Sequence, residues 1–231
     1  SPRFEARIER SLAVLSGDRV LYLIRLRNSD LVTANIQVGS TLPAVHTSIG
    51  KLLLAHLDEA DLQARITDAS FAANSGPNAK LSLAELRDEL RTIRDQGWAM
   101  QDEELAYGLR SVAAPITAPD GRVLAGVNLA VQAQDWSTQR IIRELRPAVL
   151  ATCAEITGLL SDTTAVLCGS HGAAQVFGLQ KGADAQLRDL LDAALQRFAD
   201  RLGAGTAVRP DQPGAGAAGG TGFGLAAWGG R

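Results

Sequence analysis

The sequence predicts an α+β domain over residues 1–161, followed by a shorter segment of a different kind over residues 162–231. Three observations carry this. Short apolar runs with strand character stand near the start and again after residue 110. Between them the apolar residues recur at helical spacing, and strands on both sides of a helical middle give helices layered on a mostly antiparallel sheet. After Ser161 the composition shifts and ends in a tail dominated by Gly and Ala.

In chain order, residues 12–15 and 20–26 read as two strands around the turn Ser16-Gly17-Asp18, where Gly and Asp suit a tight turn. Residues 31–38 can add a third. Ile49, Leu52, Leu53, His56 and Leu57 form a helical stripe that Thr47 or Ser48 can cap. A second short helix starts at Asp58, and residues 71–80 form a loop. Residues 81–96 are an amphipathic helix with core stripe Leu83, Leu86, Leu90 and Ile93. Ser82 caps it, with Glu85 three residues later, and Gly97 stops it. Strands return at 111–117 and 122–131, joined by the turn Ala118-Pro119-Asp120-Gly121. A long helix over 137–160 follows, with Pro147 placed to kink it. Beyond Ser161, residues 164–167 are a strand candidate. Residues 185–202 form a helix expected to turn Leu187, Leu190, Leu191, Leu195, Phe198 and Leu202 inward. The Gly-rich stretch 213–224 is too glycine-rich to hold order unaided.

Bulk properties exclude several functions. The 231 residues carry a net charge of −2 with no sustained basic run, which does not mark a nucleic-acid surface. Cys153 and Cys168 lie outside any CxxC spacing and fit a reducing cytoplasm, the expected location. His46, His56 and His171 are scattered, so no metal site is expected, and no cofactor either. No apolar run approaches the ~20 residues that span a bilayer, so no membrane partner is expected. The start has no apolar signal segment and no Met, which reads as a fragment or a processed chain.

Three blocks carry a family resemblance: VGSTLPA at 38–44 with TSIGKLLLA at 47–55; QGW at 96–98 with DEE at 102–104 and GLRSVAAP at 108–115; DGR at 120–122 with GVNL at 126–129. In this order and spacing they resemble the effector-binding domain of IclR-type transcriptional regulators over residues 12–160. The combination is most similar to the branch sensing aromatic-catabolism intermediates of the protocatechuate and β-ketoadipate type. The resemblance implies a GAF-like antiparallel sheet with flanking helices that binds a small organic acid. It also implies a homo-oligomer, dimer or tetramer, and a winged helix-turn-helix preceding residue 1 as the part that touches DNA. No catalytic residue is implied for this domain.

A carboxylate ligand needs hydrogen-bond donors in a mostly apolar concavity. Ser48, Ile49 and Gly50 sit where a loop becomes a helix, so N–H groups are expected to be available there. The resemblance places further ligand contacts at Leu109, Ser111 and Ala113 on one strand and at Asn128 and Ala130 on the next. Ser111 stands where many relatives have cysteine, and Asn128 and Ala130 where many have serine, which changes the pocket's chemistry. Ser48 reads equally as a simple N-cap and Ser111 also as a half-buried strand serine, whereas a buried Asn128 amide needs partners. Arg110 should face away from Ser111 as an ion-pair partner. Asp102, Glu103 and Glu104 read as a solvated loop that caps or pairs with arginine, because no histidine is spaced to join them.

CG at 168–169 with GAAQVFGLQKGA at 172–183, LDAAL at 191–195, PGAGAAGG at 213–220 and GFG at 222–224 resemble bacterial glycerate kinase over 164–227, with Leu179 where that family has proline. The second segment therefore reads as a partial α/β fragment with a Gly-rich tail. The alternative reading of the chain is a glycerate kinase fragment in a fused or misassembled gene product. Phosphoryl transfer needs nucleotide, metal-holding and acceptor sites from distant segments, and a fragment of this extent is not expected to phosphorylate glycerate. Lys181 reads as an exposed lysine.

Overall fold

The computed structural model describes residues 8–26, 36–72, 75–118, 120–161, 165–178, 182–203, 209–212, 214–216, 220, 223–224 and 227. Strands β1 (Glu9–Ser16) and β2 (Arg19–Leu26) form a hairpin closed by Gly17 and Asp18, with Gly17 at φ 62°, the left-handed conformation that glycine adopts without strain. The expected strand at 31–38 falls mostly on residues 31–35, outside the described residues. The third strand is instead β3 (Thr41–Pro43), which pairs with Arg19 to Leu21. The preceding turn closes on β2, where Gly39 N–H donates to Tyr22 O at 2.8 Å.

A short 3₁₀ turn (Ala44–His46) leads into α1 (Ser48–Ala55), all eight residues of which are buried. Thr47, not Ser48, is the cap: its Oγ1 accepts from Gly50 N–H at 3.0 Å, a contact worth about 1 kcal/mol. A Cβ on Gly50 would lie 2.1 Å from Ala44 O, so glycine is what lets the 3₁₀ turn lie directly on the helix. Helices α2 (Glu59–Arg65) and α3 (Leu83–Gln96) follow, and α3 buries Leu86, Leu90 and Ile93. Ser82 caps α3 through Glu85 N–H, and the Glu85 carboxylate accepts from Leu81 N–H.

Strands β4 (Ala99–Asp102), β5 (Leu109–Thr117) and β6 (Val123–Gln132) complete one six-stranded sheet in the order β3-β2-β1-β6-β5-β4. β4 carried no strong sequence signal; four residues are too few to show a period. Glu9 to Ala13 of β1 pair antiparallel with Gly126 to Ala130 of β6, so Ser11 faces Asn128 across the ladder. Pro119, in the turn expected before β6, lies outside the described residues. Helix α4 (Arg146–Ser161) is preceded by a single α turn (Thr138–Arg140) and a wider π segment (Ile141–Leu145), in which Arg146 N–H donates to Ile141 O. Pro147 has no N–H to offer the preceding turn. Where a kink was expected, the chain instead widens just before the proline. Cys153 of α4 is buried and bonds Ala114 O at 3.3 Å.

By its internal contacts the chain forms two units, residues 1–116 with 125–153 and residues 117–124 with 154–231. In the second, an isolated parallel bridge joins Val166 to Gly172, where a strand was expected over 164–167. Helices α5 (Ala173–Gly178) and α6 (Ala185–Gly203) follow. A small cluster of Leu167, Ala199, Ala215, Phe223 and Ala227 is packed by Leu195 and Leu202. The inward stripe of α6 is thus Leu195, Ala199 and Leu202. Leu187, Leu190 and Leu191, expected inside, are 42–63% exposed, because the cluster meets only the C-terminal half of the helix; Phe198, in that half, is 41% exposed although its ring meets Phe223. Lys181 and half of the Gly-rich stretch 213–224 lie outside the described residues. No described helix is long and apolar enough to cross a membrane.

Candidate functional site

A β-bulge creates the site's charged wall. Between Leu12 and Ala13 the pairing of β1 with β2 shifts by one residue, from Leu12 opposite Ile24 to Ala13 opposite Tyr22. A bulge re-aims side chains. Val20 and Tyr22 face inward before it; beyond it Arg25 is the buried residue, while Ile24 and Leu26 are 52% and 59% exposed. Arg25 and Tyr22 thereby reach one concavity, with the guanidinium 5.8 Å from the tyrosine ring centroid. Arg25 donates to the carboxylate of Glu9 on β1, and both side chains are almost wholly buried.

The concavity is tight, with a cavity volume of about 20 Å³, room for about one water molecule. Glu9, Tyr22 and Arg25 form one wall; Gln101, Leu105, Leu109 and Ser111 come from β4, β5 and the loop between them. Asn128 and Ala130 come from β6, and Ile36 and Thr47 complete the rim. Gln101 is spent on shape: its Nε2 donates to Leu109 O at 3.1 Å and its Oε1 accepts from Glu104 N–H at 3.0 Å. The Ser111 and Ser48 hydroxyls share a 2.7 Å hydrogen bond. Asn128 Oδ1 is buried with no protein partner. Burial pushes the Tyr22 hydroxyl up to about 12, with Arg25 opposing and Glu9 adding, so it stays a neutral donor.

Of the residues expected to touch a ligand, Leu109, Ser111, Asn128 and Ala130 line this concavity, and Ser48 stands behind Ser111. Ile49, Gly50 and Ala113 do not reach it. Ile49 packs where a side chain on Gly126 would stand, Gly50 abuts Ala44, and Ala113 is fully buried opposite Ala99. The N–H expected to be available at Gly50 is taken by Thr47. Glu9, Tyr22 and Arg25 had no motif to announce them, since only the bulge brings Arg25 into phase with Tyr22.

The acidic run resolves into supports for this site. Arg110 faces away, donating to Asp102 at 2.5 Å and to the carbonyls of Ala133 and Trp136 at 2.8 Å each. Glu103 accepts from Gly108 N–H at 2.8 Å. Glu104 is not solvated as expected: it is buried and bonds Lys51 Nζ at 2.6 Å, and the fully buried Lys51 also pairs with Glu89. Burial raises the Glu104 carboxyl, opposed by Lys51. The pair fastens α1 to the β4–β5 loop. A larger hollow of about 240 Å³ between α1, α2 and α3 is lined by Arg87, Arg91 and Arg94. These guanidinium groups are already committed to Glu59, to Asp88 and to the carbonyls of Ala55 and Leu57. Among the described residues, no group of three or more His, Cys, Asp or Glu could hold a metal ion.

The family model for the bacterial transcriptional regulator IclR C-terminal domain matches residues 8–157, and a glycerate kinase family model matches residues 132–231. The chain is 31% identical over 147 residues to the Pca regulon regulatory protein of Pseudomonas putida, covering 63% of this chain and 50% of that protein. It thus spans about half the length of such curated relatives. Among solved structures, a transcriptional regulator from Rhodococcus sp. RHA1 superposes with a TM-score of 0.59 at 30% identity, over 64% of this chain and 59% of that one. The inducer-binding domain of PobR from Acinetobacter, a double mutant solved with 3-hydroxybenzoic acid, shares the fold with a TM-score of 0.58 at 23% identity, over 65% and 87% of the two chains.

Proposed function

Because this chain belongs to the IclR family of bacterial transcriptional regulators, through the match of residues 8–157 to the family's C-terminal domain, we propose that it senses a small organic acid in the cleft beneath α1. The observation that carries this reading is the cleft's polar set: the Asn128 amide oxygen buried without a protein partner, beside the Ser48–Ser111 hydroxyl pair and the Arg25 guanidinium. A buried acceptor left unpaired costs about 1–3 kcal/mol, which a ligand donor recovers. Ser48, Leu109, Ser111, Asn128 and Ala130 are the proposed contacts from the sequence, with Tyr22 and Arg25 added. Ile49, Gly50 and Ala113 act behind them as packing. Occupancy of the cleft, read out by a linked DNA-binding domain in a homo-oligomer, is the proposed route to control of transcription. Residues 162–231 are proposed to form a separate, partial α/β domain that adds no phosphoryl transfer to this role.

The relative that holds 3-hydroxybenzoic acid supports a hydroxylated aromatic acid as the first probe. Isothermal titration with 3- and 4-hydroxybenzoate and with small aliphatic acids is expected to show saturable binding, weakened in Asn128→Ala. A panel without any binder rules the sensor reading out.

A further inference from the structure

We propose that the hollow between α1, α2 and α3 is a second ligand site, separate from the cleft at Asn128, and that it takes a small monocarboxylate with a compact apolar body.

The hollow holds about 240 Å³, against about 20 Å³ in the cleft. That lies just below the ~300–1,000 Å³ of sites for drug-sized molecules, so its occupant is small. Leu54, Ala55, Leu62 and Leu90 line it as buried residues, and Leu57 joins them from the segment after α1. Arg87, Arg91 and Arg94 share one face of α3 at i, i+4 and i+7. An apolar lining with a few convergent polar groups is the usual make-up of a small-molecule site.

The partners of the three arginines cancel their charges to different degrees. Arg87 donates to the Glu59 carboxylate, yet its Nε is buried without a partner. Arg91 pairs with Asp88 on the same helix; the two side chains are 74% and 83% exposed, and such a pair holds weakly. Arg94 donates from Nε and Nη2 to the carbonyls of Ala55 and Leu57, and no carboxylate among the described residues pairs with it. Ala55 ends α1, and a helix C-terminus carries only about half a negative charge. A net positive charge therefore remains on the wall at Arg94. A carboxylate in the hollow meets that charge with Arg91 one turn away, and Arg87 Nε offers a donor that lacks a protein acceptor. The ligand's apolar body covers the leucines. Bare phosphate gains only the charge contact, and a neutral amide of the same shape gains only the apolar one.

The test follows the arginine Nε–H signals of the purified, isotope-labelled chain by NMR as benzoate, benzamide or inorganic phosphate is added. Benzoate is expected to shift the Arg87 and Arg94 signals saturably, and benzamide and phosphate to bind at least roughly tenfold more weakly. Arg91→Gln, on an exposed side chain, should melt like wild type and weaken benzoate severalfold. Arg94→Gln should weaken it roughly tenfold. Asn128→Ala alters the cleft and should leave these shifts in place. Arg87 and Arg94 signals that stay still in the wild-type chain overturn the proposal without any variant. So does phosphate or benzamide that matches benzoate, or an Arg94→Gln chain that melts and binds like wild type. Shifts that vanish in Asn128→Ala put the acid in the cleft, which overturns this proposal and supports the sensor reading. Acid binding confined to the hollow sustains the proposal and counts against the sensor reading.

Discussion

At the scale of single residues, Asn128 stands out as a buried amide whose oxygen the protein leaves without a partner. Its amide lies on β6 in a 5% exposed position, surrounded by a ladder whose other inward residues are apolar or paired. Asn128→Ala removes a buried acceptor that has no protein partner. Folding stability is therefore expected to stay within ~0.5 kcal/mol of wild type or rise, while affinity for the bound acid falls by about 1–3 kcal/mol. Paired denaturant melts and titrations measure both; a large stability loss with affinity intact would assign Asn128 to the core. His46 makes a different prediction. It is fully buried, edge-on to Phe71 at 6.3 Å, and neither ring nitrogen has a partner. Burial first, and then the Lys51 charge, lower its pKa below the usual 6.5. The unfolded chain therefore binds this proton more readily than the folded one. The stabilisation is complete above pH 6.5 and is lost as pH falls through the depressed folded value. Melts between about pH 7 and 5 should show this slope in wild type and less of it in His46→Leu.

At the scale of elements, α1 is the keystone because it is buried all round and carries a lysine inward. Lys51→Met strips the buried Glu104 of its counter-charge and is expected to cost about 3–5 kcal/mol, whereas adding Glu104→Gln should restore a large part of that. A double mutant no more stable than the single one would show that Glu104 finds another partner. The register of α1 against the sheet is set by glycine: a Cβ on Gly126 would stand 2.8 Å from Ile49 Cγ2. Most elements were legible in the sequence for the same reason they form. The caps at Ser82 and Gly97, the Gly17-Asp18 hairpin and the stripe of α3 are local chemistry. What escaped was non-local. β4 exists because β5 offers it an edge, and Arg25 enters the cleft because of a bulge that no single-strand alternation encodes. Glu104 is buried because Lys51, distant in sequence, waits beneath it. Four of the eight site residues read from the sequence line the cleft and a fifth bonds one of them. The three that do not sit in α1 and β5, where inward-facing means facing the core.

At the scale of the whole molecule, the two units differ in how much apolar surface they bury. The first buries most of α1 and the inward residues of a six-stranded sheet. In the second, the largest fully buried side chains among the described residues are Leu167 and Phe223, each worth about 1.5–3 kcal/mol. Ordering each residue's backbone costs about 1–2 kcal/mol, so two anchors hold few residues against it. Helix α6 spans Ala185–Gly203 but leaves Leu187, Leu190, Leu191 and Phe198 41–63% exposed, and a helix draws most of its stability from packing. We expect native-state hydrogen exchange to place the amides of α5 and α6 in a low-energy opening unit and those of α1, β5 and β6 at the global limit. Limited proteolysis should cut first beyond Ser161 and leave a core that still binds the acid. Phe223→Ala removes the ring that meets Phe198 edge-on at 6.1 Å and should speed exchange in α6 further. Equal protection of α6 and β6 would show that the second segment is held as firmly as the sensor. Glycerate-dependent ADP release above background would show in addition that it retains the chemistry of the kinases it resembles.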